Sequence, residues 1–558
     1  MPRESGQVSE RQRSVWGWGW NDAFASPDER SKLARRTAPM LGLDGLEVHS
    51  PADPAQWKIG APRVNVPAEL SEIAASDRTT RAAHAYGKNY RDLVRGFRGH
   101  FERAPDVVAF PANDRDVERV MEWCGARGLA LIPFGGGTSV VSGVEPDVDA
   151  RFQGSVSLDL RRLDRVCEVD VVSRAARIQA GVMGPALETQ LGAHGVTLRH
   201  FPQSFEFSTL GGWIATRAGG HYATLHTHID DFVESLRMVT PTGVFETRRL
   251  PASGAGPSAD RFVIGSEGAF GVITEAWMRV QVRPTHRATA NVTFSDFVPA
   301  VDAVRALAQS GLHPSNCRLL DAAEAFIHRV SSTGDNVLLL AFESADHSVD
   351  AWMERALAIC RTHGGDVRED MGGVSAGDAA ARDGAAGQWR SAFLDAPYLF
   401  NSMVSLGVVV DTFETACTWD RFATFHASVT AAVRDAMQRV CGGGIVSCRF
   451  THVYPDGVAP YYTFVAPGRA GDEIEQWWEI KRAASDAIIQ YGGTITHHHA
   501  VGRLHQPWYE RERPEAFGRA LRAAKRELDP HGIMNPGVLI ADVPADGAVA
   551  GAPPRSSS

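Results

Sequence analysis

The stretch LALIPFGGGTSVVSG, residues 129–143, is an apolar run of strand length that passes directly into three consecutive glycines. Ahead of it, residues 113–128 carry apolar side chains at helical spacing between a cap-competent Asn113 and a closing Gly128. Residues 106–110, DVVAF, form another short apolar run. A strand, a helix and a second strand joined by short connections predict a βαβ unit with the glycine loop directly after its second strand.

The three glycines, Gly135, Gly136 and Gly137, suit a backbone loop that binds an anion. Glycine accepts positive φ, and without a side chain its backbone amides can approach a ligand closely. A diphosphate is the natural ligand of such a loop. The spacing matches neither GxGxxG nor GxxxxGK(S/T), so it indicates neither a nicotinamide-type Rossmann site nor a P-loop. On the glycines alone, a tight turn without a ligand is an equally good interpretation.

Composition narrows the class of protein. The chain has 558 residues and a formal net charge of −9. This charge argues against nucleic acid as a main partner, because binding nucleic acid needs a concentrated basic surface. No apolar run approaches the roughly 20 residues that a membrane span requires, and the N-terminus has no apolar h-region. The seven cysteines are scattered and include no CxxC pair. We therefore expect a cytoplasmic protein with reduced thiols.

The pattern of the chain predicts several regions. Residues 1–100 look helical and irregular, and the strand-rich region with the glycine loop occupies residues 101–284. Residues 285–505 alternate strands with helices long enough to cover one face of an antiparallel sheet, which predicts a second, α+β domain. The Ala, Gly, Pro and Ser-rich tail, residues 541–558, is typical of a disordered segment.

The run THHHAVGRLH, residues 496–505, places four imidazoles within ten positions. If the run is a strand, His497 and His499 share one face and His498 takes the other. Three interpretations stay open: metal chelation by His497 and His499, a proton-donating or cationic surface for an oxyanion, and a polar strand without a ligand. No Asp or Glu lies between residues 491 and 509, which weakens the metal interpretation, and we assign no metal ligands.

Three further segments extend the glycine-loop pattern: PQSFEFSTLGGWIATRAGG (202–220), GSEGAFGVITEAWMRVQVRP (265–284) and LDPHGIMNPGVLI (528–540). Together they resemble the flavin-binding domain of the vanillyl-alcohol oxidase/p-cresol methylhydroxylase (PCMH) family. The resemblance implies an α+β fold with a PCMH-type FAD-binding domain of two subdomains, a cap domain with an antiparallel sheet, and a C-terminal segment (506–540) that returns to the flavin domain. The cofactor contacts that it implies are Pro133, Phe134, Gly135, Gly136, Gly137, Thr138, Ser139, Gln203, Ser204, Ser208, Thr209, Thr216, Arg217, Ala218, Gly219, Glu267, Gly268, Ala269, Gly271, Val272 and Ile273.

Motifs along nearly the whole chain carry a narrower resemblance. VWGWGWNDAF, FERAPDVVAFP, SCRFTHVYPDGVAPYY and GGTITHHHAVGRL occur in the order seen in the alkyldihydroxyacetonephosphate synthase family of ether-lipid flavoenzymes. The resemblance implies exchange of the acyl chain of acyl-dihydroxyacetone phosphate for a fatty alcohol, without net redox. It assigns catalytic roles to Tyr461, His497, His498 and His499, and substrate binding to Arg318. Without the resemblance, Tyr461 is better interpreted as a half-buried strand aromatic.

Departures from the family pattern keep a second function open. Phe400 stands at a substrate-binding position where the family has an arginine, which removes a charge and five hydrogen-bond donors. The loop after Arg217 carries His221, His226 and His228 where the family has lysines. The alternative is therefore an FAD-dependent oxidase or dehydrogenase of a hydroxy acid or an alcohol.

The resemblance also bears on the cofactor and on partners. Some members of the flavoprotein family bind flavin covalently through a His in the glycine loop, and Thr138 occupies that position here, so we expect non-covalent FAD. The expected partners are a small lipid-like or hydroxy-acid substrate, a second copy of the chain in a homodimer, and the surface of a membrane in a peripheral contact.

Overall fold

The computed structural model describes residues 11–222, 228–331, 333–367, 396–541 and, by backbone alone, 374–376. Apart from residue 541, the tail predicted to be disordered lies outside the described residues, and so does His226. The helices are α1 Pro27–Met40, α2 Arg78–Ala83, α3 Tyr90–Phe97, α4 Asp114–Arg127, α5 Gly184–Gly192, α6 Leu210–Thr216, α7 Ala259–Val263, α8 Phe297–Ala308, α9 Ala322–Ile327, α10 Asp350–Thr362, α11 396–405, α12 Trp419–Cys441, α13 Glu473–Gln490, α14 Gln506–Glu512 and α15 Glu515–Leu528. In the described ranges, none of these helices combines the length and the hydrophobicity that crossing a bilayer requires.

A four-stranded sheet carries the glycine loop. Its order is β1-β2-β4-β3, and both β2 and β3 run parallel to β4. The predicted βαβ unit is confirmed, with β4 inserted between its two strands. Helix α4 begins where Asn113 accepts a hydrogen bond from the Asp116 amide at 3.0 Å and ends at Gly128, whose φ is 59°. The strands are β1 Ala74–Ala75, β2 Val107–Ala109, β3 Leu129–Phe134 and β4 Gly154–Asp159.

A second sheet, antiparallel throughout, follows in the order β5-β6-β10-β8-β9. It has its own hydrophobic core, to which α5 and α6 contribute. A short turn through Pro241 and Thr242 joins β8 to β9. The strands are β5 Val166–Asp170, β6 Ala175–Gln179, β8 Val233–Thr240, β9 Gly243–Glu246 and β10 Val272–Arg279, and β7 Val196–Thr197 pairs separately with β11 Gln281–Val282.

A nine-stranded antiparallel sheet follows, with the main order β15-β12-β14-β13-β19-β20-β17. Helices α8, α10, α12 and α13 share its hydrophobic core. Pairing of β17, β20 and β19 places Glu414, Tyr461 and Arg449 side by side on one face, because directly paired residues point to the same side of a sheet. The α+β fold class is confirmed. The strands are β12 His286–Phe294, β13 Asn316–Leu320, β14 Asn336–Ser344, β15 Asp366–Val367, β16 Val374–Ala376, β17 Val408–Glu414, β18 Cys417–Thr418, β19 Ile445–Val453 and β20 Gly457–Pro467.

Both ends of the described chain contact the glycine-loop sheet. After α15 the chain runs beside β3, where the Leu131 amide donates to the Ile533 carbonyl at 2.8 Å and the Asn535 amide donates to the Leu131 carbonyl at 2.9 Å. Near the N-terminus, Arg13 donates to the Gly136 carbonyl at 2.9 Å. These contacts hold the glycine loop from two sides.

Candidate active site

A cavity lies where the glycine loop meets the nine-stranded sheet. It contains most of the residues that the resemblance assigned to the cofactor together with most of those assigned to catalysis or substrate, although the two sets lie far apart in the sequence. The predicted residues on its wall are Gly135, Gly136, Gly137, Thr138, Ser139, Gln203, Ser204, Ser208, Thr209, Thr216, Ala218, Gly219, Arg318, Phe400, Tyr461, His498 and His499.

Ten predicted residues do not face this cavity. Some belong to packed segments: a Cβ at Gly268 would lie 2.8 Å from the Pro133 ring, and one at Gly271 would lie 2.5 Å from the Val239 carbonyl. Arg217 instead pairs with Asp230 at 3.0 Å. The residues away from the cavity are Pro133, Phe134, Arg217, Glu267, Gly268, Ala269, Gly271, Val272, Ile273 and His497.

Glu267 connects the two halves of the site rather than lining it. Its carboxylate accepts hydrogen bonds from the amides of Val501 at 2.9 Å and Gly502 at 2.8 Å, directly after the histidine run. Its φ is 51°, and it is almost fully buried. Burial raises the pKa of Glu267 to about 7, although the two amides oppose this shift. Its role here is therefore to position the segment that follows the histidines.

The glycine loop has the features of an anion site. A Cβ at Gly136 would lie 1.8 Å from the Phe207 carbonyl, so no larger residue fits, and Gly137 has φ of 67°. Within the described part of the chain, the amides of Gly136, Gly137, Thr138 and Ser139 donate no hydrogen bond to a protein acceptor. Adjacent free backbone amides in a tight loop form a concave site for a phosphate. The loop therefore fits the diphosphate of FAD.

Two cations that the sequence analysis missed lie beside this loop. Lys88 is on the cavity wall, and burial lowers its pKa to about 8, with Arg13 contributing repulsion. Burial also lowers the pKa of Arg13 to about 10. Residues 11–88 lie outside the segments that resemble a flavin domain, so no motif marked these side chains. One feature of the sequence could have indicated this contact, namely Gly87 next to Lys88. Gly87 lies so close to the glycine loop that a Cβ there would be 2.1 Å from the Ser139 carbonyl.

The histidine run is a loop, and the prediction of an alternating strand is wrong. The loop folds around the carboxylate of Glu414, the last residue of β17. This carboxylate accepts hydrogen bonds from the amides of His497 at 2.8 Å, His498 at 3.2 Å and His499 at 3.0 Å, and from the Thr496 hydroxyl at 2.6 Å. Because one carboxylate gathers three successive amides, the backbone curves and side-chain alternation is lost.

The side chains of the three histidines do not point as predicted, with His497 and His499 on one face and His498 on the other. His498 and His499 both face the cavity and Tyr461, with ring centroids 5.9 and 5.4 Å from the tyrosine ring. His497 turns the other way, where its Nε2 lies 2.5 Å from the Tyr454 hydroxyl. The Tyr461 hydroxyl donates to Thr412 at 2.9 Å. Tyr461 therefore packs against His498 and His499.

Burial sets the charges of this cluster. It lowers the pKa of His498 to about 3 and of His499 to about 4, despite the opposing effect of Glu414, so both rings are neutral at pH 7. Burial alone would raise the pKa of Glu414, but the neighbouring imidazoles and the Thr496 hydroxyl hold it below the usual range of a glutamate. Burial raises the pKa of Tyr461, and Arg449 opposes that shift. A charged carboxylate thus holds neutral imidazoles against a neutral phenol.

Two buried arginines supply positive charge to the cavity. Arg318, as predicted from the resemblance, lies on its wall, 3.1 Å from Nδ1 of His221. Arg449, which the sequence analysis missed, has its guanidinium carbon 3.8 Å from the centroid of the Tyr461 ring and pairs with Glu324. Burial lowers the pKa of Arg318 to about 9, with repulsion from Arg449 second. Arg318 therefore stays charged at pH 7.

The remaining wall combines Phe400, which the resemblance had placed at a substrate-binding position, with residues to which the sequence analysis gave no role. Phe400, on α11, faces the same cavity as Arg318, and Trp18 from the N-terminal segment lies near it. Trp18 is held to α11 by reciprocal hydrogen bonds with Asn401, at 2.8 and 2.9 Å. His452, on β19, also faces the cavity. The quoted motif SCRFTHVYPDG contains both Arg449 and His452, but only strand register brings them to the wall.

Two family models match the chain. One, described as an FAD binding domain, matches residues 105–248, and the other, described as the C-terminal domain of FAD linked oxidases, matches residues 283–539. The first range contains the glycine loop and the second contains Tyr461 and the histidine run.

Relatives match over most of the chain. Alkyldihydroxyacetonephosphate synthase of Dictyostelium discoideum is 32% identical over 90% of this chain and 83% of its own length, and that of Trypanosoma brucei brucei is 30% identical over 86% and 81%. A solved structure of alkyldihydroxyacetonephosphate synthase superimposes with a TM-score of 0.77 at 27% identity, covering 94% of this chain and 98% of the other.

Proposed function

The chain belongs to the alkyldihydroxyacetonephosphate synthase family, and from this premise we propose that it is an FAD-dependent enzyme that exchanges the acyl chain of acyl-dihydroxyacetone phosphate for a fatty alcohol in ether-lipid synthesis. One observation carries the proposal: a single cavity joins an anion-binding glycine loop to Tyr461, His498 and Arg318. The loop would hold the diphosphate of FAD. When bound, FAD supplies an electrophilic ring system to this chemistry.

Tyr461 is the residue we assign to proton transfer at the substrate carbon. Its hydroxyl is fixed by Thr412, and the guanidinium of Arg449 over its ring favours the phenolate that forms when the proton leaves. His498 and His499 are neutral and pack against the ring, so each can accept a proton at its unprotonated ring nitrogen. Glu414 holds both histidines in place.

The phosphate headgroup would meet Arg318 and Arg449. Guanidinium groups bind phosphate oxygens through paired N–H donors. Arg449 thereby supplies a second cation in a cavity where Phe400 replaces the family arginine. This supports recognition of an anionic substrate despite that replacement.

Product analysis tests the proposal directly. The purified FAD-bound protein is incubated with acyl-dihydroxyacetone phosphate and a long-chain alcohol, and extracted lipids are analysed by mass spectrometry. We expect the alkyl ether of dihydroxyacetone phosphate and one equivalent of free fatty acid. Absence of the ether, with the flavin spectrum unchanged by either substrate, would refute the proposal.

One residue, Phe400, favours a second function, the oxidation of a substrate by FAD. An apolar ring on this wall suits a substrate without a phosphate, such as a hydroxy acid or an alcohol that is oxidised by FAD. Anaerobic mixing with a panel of 2-hydroxy acids and alcohols distinguishes oxidation by FAD from the exchange of an acyl chain for a fatty alcohol. Bleaching of the flavin absorbance by a member of the panel supports oxidation, and an unchanged spectrum across the panel argues against it.

The non-covalent state of FAD, homodimerisation, contact with a membrane surface and cytoplasmic location also form part of the proposal. Light scattering on the purified protein measures the oligomeric state. Co-sedimentation with anionic and zwitterionic vesicles measures membrane contact. Acid precipitation tests the flavin linkage, since Thr138 predicts a colourless pellet.

A further inference from the structure

Three imidazoles come together behind the wall that carries Tyr461. They belong to His452 on β19 and to His497 and His498 in the loop. Their ring centroids form a near-equilateral triangle with sides of 4.9 Å (His452–His497), 5.5 Å (His452–His498) and 5.3 Å (His497–His498). One ring nitrogen from each lies within 4.8 Å of the others.

These separations match those of three histidines on one tetrahedral metal ion. With a Zn–N bond of about 2.0–2.1 Å and about 1.1 Å from the nitrogen to the ring centre, each centroid lies about 3.2 Å from the metal. At the tetrahedral angle, two such centroids are about 5.2 Å apart. The three observed centroid distances bracket this value. The ligand nitrogens, which lie up to 4.8 Å apart, would still have to approach the separation of about 3.4 Å that one tetrahedral ion sets.

The tautomers leave ligand lone pairs available. Nε2 of His452 donates to the Gly220 carbonyl at 3.1 Å, which makes Nδ1 the unprotonated nitrogen. That Nδ1 is buried, and in the described part of the chain it has no hydrogen-bond partner. Nε2 of His497 lies 2.5 Å from the Tyr454 hydroxyl, and in the tautomer that donates to this hydroxyl its own Nδ1 carries a lone pair. Metal-binding histidines are commonly oriented by a hydrogen bond from the second nitrogen.

His498 completes the set. Its Nδ1 lies 3.0 Å from Nδ1 of His497 and 3.4 Å from the carboxylate of Glu414. The carboxylate offsets the positive charge that an ion would add near Arg449. A buried nitrogen without a partner is costly, and a metal ion would satisfy the lone pair on Nδ1 of His452.

We propose that His452, His497 and His498 form a binding site for one divalent transition-metal ion, with Zn²⁺ suited to a three-imidazole set. His452 and His498 also face the cavity, so the fourth coordination position opens toward the substrate and takes an oxygen, from water or from the substrate headgroup. The site differs from the His497–His499 pair considered from the sequence. It stands on geometry alone and does not depend on the transferase function.

Metal titration of the FAD-bound protein, prepared without a polyhistidine tag and freed of metal by dialysis against chelator, tests the site. We expect one equivalent of Zn²⁺ by calorimetry, and one equivalent of Co²⁺ with the visible absorption of a tetrahedral site. His452→Ala and His498→Ala should each weaken Zn²⁺ binding by at least about 100-fold. His499→Ala, which removes a neighbouring imidazole outside the set, should change it by less than about threefold.

The flavin absorbance and melting temperature of each variant report whether it has folded. Titration of the wild-type protein is decisive without any variant: binding of Zn²⁺ and Co²⁺ no tighter than about 1 mM overturns the site, since that affinity is worth only about 4 kcal/mol. The site is equally overturned if His499→Ala weakens binding as much as His452→Ala. Failure of ether formation in the earlier assay leaves these results unaffected, so the two proposals fail separately.

Discussion

Glu414→Gln removes the charge that organises the histidine loop while keeping the shape of the side chain. One carboxylate oxygen accepts from Thr496, His498 and His499, and the other accepts from His497. If the amide oxygen of glutamine keeps the first three partners, its NH₂ group faces the His497 amide, donor against donor. At least one charge-assisted hydrogen bond is therefore lost, worth about 1.5–3 kcal/mol.

The loss should be visible in amide hydrogen exchange of residues 494–505, whatever the substrate is. A cost of about 1.5–3 kcal/mol corresponds to about 10- to 150-fold faster exchange if these amides exchange by local opening of the loop. Ether formation should fall about 100-fold, because misplacement by about 1 Å of groups at the reacting centre has that effect. Retained flavin absorbance would show that the cofactor domain is intact.

Glu515→Gln is the matched control, because Glu515 is exposed and, among the residues that the structure describes, pairs only with Arg519 on its own helix. It should leave both exchange and turnover unchanged. The reasoning about Glu414 is refuted if Glu414→Gln gives exchange of residues 494–505 within about twofold of the wild type, since an intact loop would then not depend on the carboxylate.

The other predictions concern the cofactor loop, a buried carboxylate and the headgroup. Gly136→Ala should abolish FAD retention, because its Cβ would lie 1.8 Å from the Phe207 carbonyl; gel filtration followed by the ratio of flavin to protein absorbance measures this, and full retention would contradict it. Glu267 has a folded pKa of about 7, above the ordinary value of 4.5, so the folded protein keeps a proton that the unfolded chain releases between those pH values. The free energy of unfolding should therefore fall by up to about 3 kcal/mol as pH rises from about 4.5 to 7. In Glu267→Gln the thermal unfolding midpoint should change less with pH across this range. If the midpoint of the variant falls as steeply as that of the wild type, the assignment to Glu267 is wrong. Phe400→Arg should lower the KM for acyl-dihydroxyacetone phosphate by about tenfold by adding a charge-assisted hydrogen bond, whereas Phe400→Leu should not, and equal KM values for the two variants would argue against phosphate binding at this wall.

Local patterns in the sequence were enough to predict the regular elements. The apolar run before Gly135 and the helical spacing after Asn113 depend only on neighbours in the chain, and the structure has both as predicted. The glycines of the loop could also be interpreted from the local sequence, because a tight loop with exposed amides leaves no room for side chains. The family resemblance then indicated the cavity residues Tyr461 and Arg318.

The shape of the histidine loop could not be predicted from the same patterns. Alternation assumes a strand, but a carboxylate more than 80 positions earlier, Glu414, determines the backbone there. Arg449 and His452 reach the wall through the register of β19 with β20, and no local pattern in the sequence specifies that register. Lys88 depends on contact between the N-terminal region and the glycine loop. Each omission concerns a contact between distant segments.

Solvent deuterium in the ether product tests the central claim most directly, namely that Tyr461 transfers a proton at the carbon where the acyl chain is exchanged. The FAD-bound enzyme converts acyl-dihydroxyacetone phosphate and a fatty alcohol in D₂O, and the product is analysed by mass spectrometry. We predict one deuterium on the ether-bearing carbon with the wild type, and a rate at least about 100-fold lower with Tyr461→Phe at unchanged FAD content. Ether without deuterium, or a Tyr461→Phe variant as active as the wild type, would contradict the account.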